Sequence, residues 1–321
     1  MVKNKSFFML ILFYIISMIS VIKWGIPNEN HPFNYHMDEW HQLQSVRDLF
    51  RYGTSNIKGS ANGPIFQFAL SGLYLEPFAI FGIIDPFSIK SAISSLPTQT
   101  RLFEILRLNT LLFGVFSLLF LAMIAKRHLK VNPALTLILF IFTPVWLSLS
   151  NFFKYDIALT FWIIASIYFL LEFGSKPSLR NYLLAGVFCA LAFATKITAL
   201  PLFLVYAVSF FYFIPKKRNY SDLILGIFLF IIVFCTIGIP DLIIGKGNYG
   251  EYIMSNNPFS NRSADNLLSN YNLSQPWFLY ILLKTWPLNF GYPFFLIFVA
   301  TFFYWIRISV SKKFKDNYKL W

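Results

Sequence analysis

Charge is what this sequence has least of. Of its 321 residues only 13% are Asp, Glu, Lys or Arg, roughly half the share of about 25% that a soluble domain carries. Acid is scarcer still, with 14 Asp and Glu against 27 Lys and Arg. So few charges cannot cover a water-facing surface of this size, which excludes a soluble enzyme, a disordered chain and a coiled coil. Cysteine is nearly absent. Cys189 and Cys235 both lie in apolar runs, leaving no disulfide framework and no CxxC or Cys/His metal pattern. A phosphate-cradling glycine loop, a serine-nucleophile elbow, HExxH and a GxGxxG in the right context are missing as well. Gly245-Lys246-Gly247 reads as a loop turn, and nucleotide hydrolysis is disfavoured.

What is abundant is apolar and aromatic: 57% of residues are hydrophobic and 39 are Phe. Runs of about 20 apolar residues cross a bilayer as helices. They predict an all-α polytopic transmembrane helix bundle of about eight spans, near 6–24, 103–125, 133–150, 156–173, 181–196, 197–214, 221–244 and 287–306. The fifth and sixth are read as two spans joined by a tight turn at Lys196. Residues 64–84 are apolar too, but Glu76-Pro77 splits them into pieces too short to span, which predicts a re-entrant or interfacial helix. Pro276–Trp286, with Trp277, Tyr280 and Trp286, has the aromatic anchors of a helix lying at the headgroups.

The net charge of +13 follows topology. Basic residues fall in short clusters between spans, so a nucleic-acid partner is not expected. With the N-terminus in the cytoplasm, the inner segments carry a net +12 and everything else only +1, a strong positive-inside asymmetry. The first run is long for a signal core and has no small-residue cleavage site before Lys23-Trp24, so it reads as an anchor. Both termini are then cytoplasmic, with 307–321 as a basic tail. Two long loops face outward, 25–102 with the re-entrant helix and 245–286. The chain reads as one transmembrane domain whose chemistry sits in the first outer loop and the adjoining helical core, 103–244. Matching broken helices of the transporter type are not seen in the two halves.

Three groups of residues could carry chemistry. The first is His36-Met37-Asp38-Glu39-Trp40-His41, two adjacent carboxylates and two imidazoles close to a membrane helix, able to supply a general base or metal ligands. The plain alternative is a solvated loop. If 37–50 is helical, Asp38 and His41 share a face that Gln42 and Ser45 continue, and Glu39 turns elsewhere. The second is Lys154-Tyr155-Asp156 at the outer mouth of the fourth span, where Asp156 is equally readable as a helix N-cap. The third comprises Arg101, Glu104, Arg107, Lys154 and Lys196 at or inside the membrane boundary. Lys196 either snorkels to headgroups or clamps a phosphate. Arg107 has Glu104 as an i−3 neighbour able to neutralise it.

The order of these features resembles the GT-C superfamily of integral-membrane glycosyltransferases, more narrowly its protein O-mannosyltransferase and aminoarabinose transferase branch. The resemblance rests on Asp38-Glu39 after the first helix, Gly63-Pro64-Ile65 opening the re-entrant segment and Arg107-Leu108-Asn109 in the second helix. It continues with Ser150 to Asp156 leading into the fourth span and Gly186 to Lys196. It implies sugar transfer from a polyprenyl-phosphate carrier to a lipid, glycan or protein acceptor at the outer face of the membrane, which the richness in Asn, Lys and Phe identifies as a prokaryotic plasma (inner) membrane. It also implies Asp38 as general base or acceptor-orienting group, Glu39 as its acidic neighbour and Asp156 as the second acidic site. Arg107, Lys196 and Lys154 lie with the carrier phosphate, and His36, His41 and Glu76 stand as supporting groups. The resemblance fixes no cofactor, the polyprenyl-phosphate sugar being the donor substrate, and leaves a divalent metal open. Some branches use a divalent metal and others do not, and Asp38 and Asp156 are its positions if one binds. The family commonly has more spans and often a soluble C-terminal domain, so this chain is expected to be a minimal, truncated or degenerate member. Its single proline in Gly63-Pro64-Ile65 replaces the pair common in relatives. Two other readings are a transporter or flippase for a lipid-linked or anionic substrate, and a non-catalytic subunit of glycan assembly.

Overall fold

A computed structural model describes residues 5–52, 66–85, 95–213, 220–238 and 281–310. They form helices α1 (Lys5–Ser20), α2 (Met37–Tyr52), α3 (Phe66–Ile80), α4 (Leu96–Arg127), α5 (Pro133–Ile141) and α6 (Pro144–Ser150). After these come α7 (Tyr155–Ser175), α8 (Leu179–Thr195), α9 (Leu200–Phe213), α10 (Tyr220–Val233), α11 (Trp286–Phe290) and α12 (Tyr292–Val310). No strand occurs among the described residues. The protein is an all-α membrane helical protein. Leu96–Arg127, Tyr155–Ser175 and α10 with its π-turn to Gly238 are long and apolar enough to cross a bilayer singly. Helices α1, α8 and α9 are shorter and apolar. Large apolar side chains such as Phe8 and Leu12 on α1, Leu204 on α9 and Phe228 on α10 face outward, the surface a lipid environment tolerates and water does not.

The centre of the bundle is α4, α7 and α8. Pro97 lies in the first turn of α4 and Lys126 and Arg127 in its last, where each suits the backbone donors and the dipole. Helices α4 and α7 run side by side in the same direction through ring contacts, with Phe113 on Phe161 and Trp162 and Phe120 on Phe161 and Tyr168. Helix α8 returns antiparallel to α7. Small buried residues, Ala165 on α7 and Ala185, Gly186 and Ala190 on α8, allow close approach, and Ser166 Oγ donates to the Ala185 carbonyl at 3.0 Å.

Gly186 is required by its neighbour. A Cβ there would lie 2.6 Å from the hydroxyl oxygen of Tyr206, a buried ring stacked on Tyr182 at 4.6 Å. Gly186→Val is therefore expected to cost about 1–3 kcal/mol by overpacking, read as a lower thermal midpoint in detergent. An unchanged midpoint would mean that α8 and α9 do not pack through Tyr206.

Five boundaries differ from the sequence-based expectation, one of them the start of α4 at Leu96 rather than near 103, with Pro97 in its first turn. The first helix stops at Ser20, short of 24, because residues 21–25 turn back, Trp24 N–H bonding the Val21 carbonyl at 2.9 Å and Gly25 taking φ +69°. The run 133–150 is not one straight span but α5 and α6, bent by 72°, since Pro144 has no N–H to continue the ladder and restricts Thr143 to extended backbone. Helix α3 runs through Pro77 unbroken. Only three residues follow that proline, and its carbonyl still accepts the Phe81 N–H at 3.0 Å, so one missing bond does not split the helix. The run 287–306 is interrupted at Gly291, φ +79°, between α11 and α12. The Gly63-Pro64-Ile65 motif, most of the second long loop, the start of Pro276–Trp286 and tail residues 311–321 lie outside the described residues.

Candidate active site

Because α7 and α8 are antiparallel, the start of one and the end of the other share one end of the bundle. Lys154 precedes α7 in extended backbone as its N-cap residue and makes no side-chain capping bond, while Asp156 sits in the first turn. Asp156 is thus not the cap; its carboxylate is turned to the two lysines. Lys196 closes α8, also extended, and the 3₁₀ turn Ile197–Ala199 leads into α9.

Helix α2 lies over this end, and the result is one line of alternating charge. Lys154 Nζ is 2.9 Å from Asp38 Oδ2 and 3.7 Å from Asp156 Oδ2, and Lys196 Nζ is 3.1 Å from Asp156 Oδ1. His36 joins at the Asp38 end, with Nε2 3.4 Å from Lys154 Nζ and Nδ1 3.9 Å from Asp38. Lys196 Nζ also stands 5.0 Å over the Tyr155 ring, a cation–π contact. The Lys154 side chain is 12% exposed and that of Asp38 53%, so the line is closed around Lys154 and open at Asp38.

The electrostatics follow from the position of Lys154. Burial pushes the Asp38 carboxyl upward, but the hydrogen bond and charge of Lys154, with His36 and His41, outweigh it and hold Asp38 below its ordinary 3.8. His36 is lowered from 6.5 by burial and then by Lys154, so its ring is neutral at pH 7, and its Nδ1 accepts the Asp38 N–H at 3.3 Å.

Beside this open line is a closed node. Glu39 is fully buried and accepts four hydrogen bonds: Arg107 Nε at 2.9 Å and Nη2 at 2.7 Å, Phe153 N–H at 2.7 Å and Asn34 Nδ2 at 3.1 Å. Arg107 Nη1 donates to the Ile22 and Trp24 carbonyls at 2.8 and 2.6 Å, groups exposed by the early end of α1. Its guanidinium stands over the Phe152 ring. Arg107 therefore ties α1, α2 and the α6–α7 link to α4, and its hydrogen bonds go to Glu39 and the two carbonyls rather than to Asp38 or Asp156. The expected neutralisation by Glu104 does not occur; Glu104 pairs with Lys23 at 3.2 Å, and Arg107 is neutralised by Glu39 across 68 positions.

The remaining expectations divide. Asp38 and His41 lie exposed on α2, whereas Gln42 and Ser45 fall on its buried side with Glu39. Gln42 Oε1 accepts the Tyr155 N–H at 3.1 Å and so fixes the start of α7 to α2. This role was legible only as the i+3 position of Glu39. Arg101 donates to the Ile83 carbonyl at 3.1 Å. Glu76 is exposed on α3 and makes no ion pair among the described residues. Asn34 carried no signal beyond its place five residues before Glu39.

A second polar cluster occupies the opposite end of α4 and α7, ~24 Å along α7 from Asp156 to Glu172 at 1.5 Å per residue. There Glu172 meets Arg127 at 3.2 Å and His128 at 3.3 Å, and Arg127 Nη1 donates to Tyr168 Oη at 2.7 Å.

A divalent metal does not fit the first cluster. The Lys154 ammonium lies between the two carboxylates that would ligate it, and no group of three His, Cys, Asp or Glu side chains among the described residues could hold an ion.

Residues 99–239, under half of the chain, match the model of the family described as dolichyl-phosphate-mannose-protein mannosyltransferase. No curated protein and no solved structure gives a significant match. The matched stretch takes in Arg107, Lys154, Asp156 and Lys196 and leaves out α2 with Asp38 and Glu39. With the apolar helices, this similarity supports an integral membrane glycosyltransferase of the GT-C type.

Proposed function

We propose that the protein transfers a sugar from a polyprenyl-phosphate donor to an acceptor hydroxyl at the outer face of the plasma membrane, with both termini cytoplasmic. The observation that carries this reading is the Asp38–Lys154–Asp156–Lys196 line, in which an exposed carboxylate and two ammonium groups stand at one end of an apolar bundle. Transfer needs a base for the acceptor and cations for the departing phosphate, and a lipid-linked donor needs both at a membrane boundary. Asp38 takes the acceptor proton. Lys196 and Lys154 face the phosphate, and Asp156 holds the two lysines together. Glu39 and Arg107 act as positioning residues that fix α2 against α4. A single base opposite the leaving group favours inversion at the anomeric carbon.

Lys196→Gln tests the phosphate role. Removing one charge-assisted contact should raise the KM for a polyprenyl-phosphate sugar and lower kcat/KM by roughly tenfold or more, at about 1.5–3 kcal/mol per such contact, with the acceptor KM unchanged. An unchanged donor KM would remove Lys196 from the phosphate site. Because Lys154 occupies the gap between the carboxylates, transfer is also expected to survive excess EDTA. Loss on chelation with recovery on adding a divalent ion would contradict that arrangement.

A further inference from the structure

We propose that Lys154 is a counter-ion exchanged between Asp38 and the donor phosphate, so that the base is masked until the lipid-linked donor has bound and the acceptor binds second. This rests on the transferase reading above and concerns how the same site is switched.

The geometry makes Lys154 the group that must move. Its ammonium stands between two carboxylates, Asp38 at 2.9 Å and Asp156 at 3.7 Å, with the His36 ring at 3.4 Å, and its side chain is 12% exposed. Lys196 is the more exposed lysine at 33% and is anchored to Asp156, so an arriving phosphate meets it first. In the resting site two carboxylates and two ammonium groups balance. A donor phosphodiester adds one negative charge, and no other cation pairs with these carboxylates among the described residues, since Arg107 is held by Glu39 and two carbonyls. The added charge draws Lys154 toward the phosphate, and the exposed Asp38 carboxylate loses its partner. In the step itself the acceptor O–H proton passes to Asp38 while its oxygen bonds the anomeric carbon. The bond from that carbon to the phosphate oxygen breaks, and its electron pair leaves with the phosphate. The resulting phosphate monoester carries two negative charges against Lys154 and Lys196. Its release returns Lys154 to Asp38 as the proton passes to water.

The test follows the Asp38 carboxyl by ¹³C NMR in full-length protein labelled at aspartate, with the signal assigned by its loss in Asp38→Asn. Citronellyl phosphate serves as the probe, and its binding is read from broadening of its ³¹P line. On binding, wild-type Asp38 should titrate about one pH unit higher or more, the scale of losing a close cation. In Lys154→Met, Asp38 should start high and respond far less, while His36, His41 and Asp156 report any general effect of the added charge. Broadening with an unmoved Asp38 in the wild type would overturn the exchange and leave the phosphate site standing. No broadening would overturn the phosphate site and the exchange with it.

Discussion

Asp38→Asn is expected to lower sugar transfer by about 10²- to 10⁴-fold, the usual contribution of a positioned general base, in a protein that remains folded. The substitution keeps the size and the hydrogen-bonding oxygen of the side chain but removes its ability to take a proton. Structural damage should be small because the side chain is 53% exposed and its ion pair with Lys154 lies at the edge of the cluster. Lys154 retains Asp156 and His36 as neighbours. Since Asp38 is held below its ordinary 3.8 in the free protein, the carboxylate is ionised throughout the neutral range, and the acid limb it imposes on kcat/KM for the donor should lie below that value, while the limb on kcat moves up once the bound donor has drawn Lys154 away. Radiolabel transfer and thermal midpoint measured on one preparation separate the two effects. Full activity in a folded Asp38→Asn protein would move the base elsewhere.

Glu39→Ala is expected to do the reverse, acting first on the fold. The Glu39–Arg107 pair has both side chains at most 1% exposed. Breaking such a pair leaves an uncompensated buried charge and costs about 3–5 kcal/mol. The Phe153 N–H and Asn34 Nδ2 lose their acceptor as well. The expected result is a large fall in thermal midpoint, with α2 released from the helix bundle and transfer lost along with it. Arg107→Met in the Glu39→Gln background removes both charges, and it should recover part of the stability lost in Glu39→Ala. If Glu39→Ala left the midpoint unchanged, the node would not be what seats α2.

The adjacent carboxylates thus have opposite fates, and the sequence showed only half of that. Topology brought Asp38, Lys154, Asp156 and Lys196 to one end of the bundle, because spans of known length and alternating direction fix which helix ends are neighbours. The same reasoning turned Glu39 away from Asp38 on a helical face. It could not supply the partner. Glu104 is three residues from Arg107 on the same helix and is the pairing that local spacing favours, yet Glu104 meets Lys23 and Arg107 meets Glu39. A contact across 68 positions has no local signature. The helix boundaries failed for a related reason. Hydropathy reports that 133–150 is apolar, but whether Pro144 bends the run depends on geometry at Thr143, and whether Pro77 breaks α3 depends on how few residues follow it. The end of α1 at Ser20 frees the carbonyls of Ile22 and Trp24, and their partner Arg107 lies more than 80 positions away, a contact hydropathy does not report.

The proposed reaction cleaves a lipid-phosphate sugar and passes the sugar on. The most direct test is to reconstitute the protein in liposomes with a panel of radiolabelled polyprenyl-phosphate sugars and a membrane extract as acceptor. Label should move from carrier to acceptor with one donor of the panel, an equal amount of polyprenyl phosphate should be released, and transfer by Asp38→Asn should be lower by about 10²-fold or more. Intact donor crossing the bilayer without cleavage, at the same rate in wild type and Asp38→Asn, would contradict this reaction and point to a transporter.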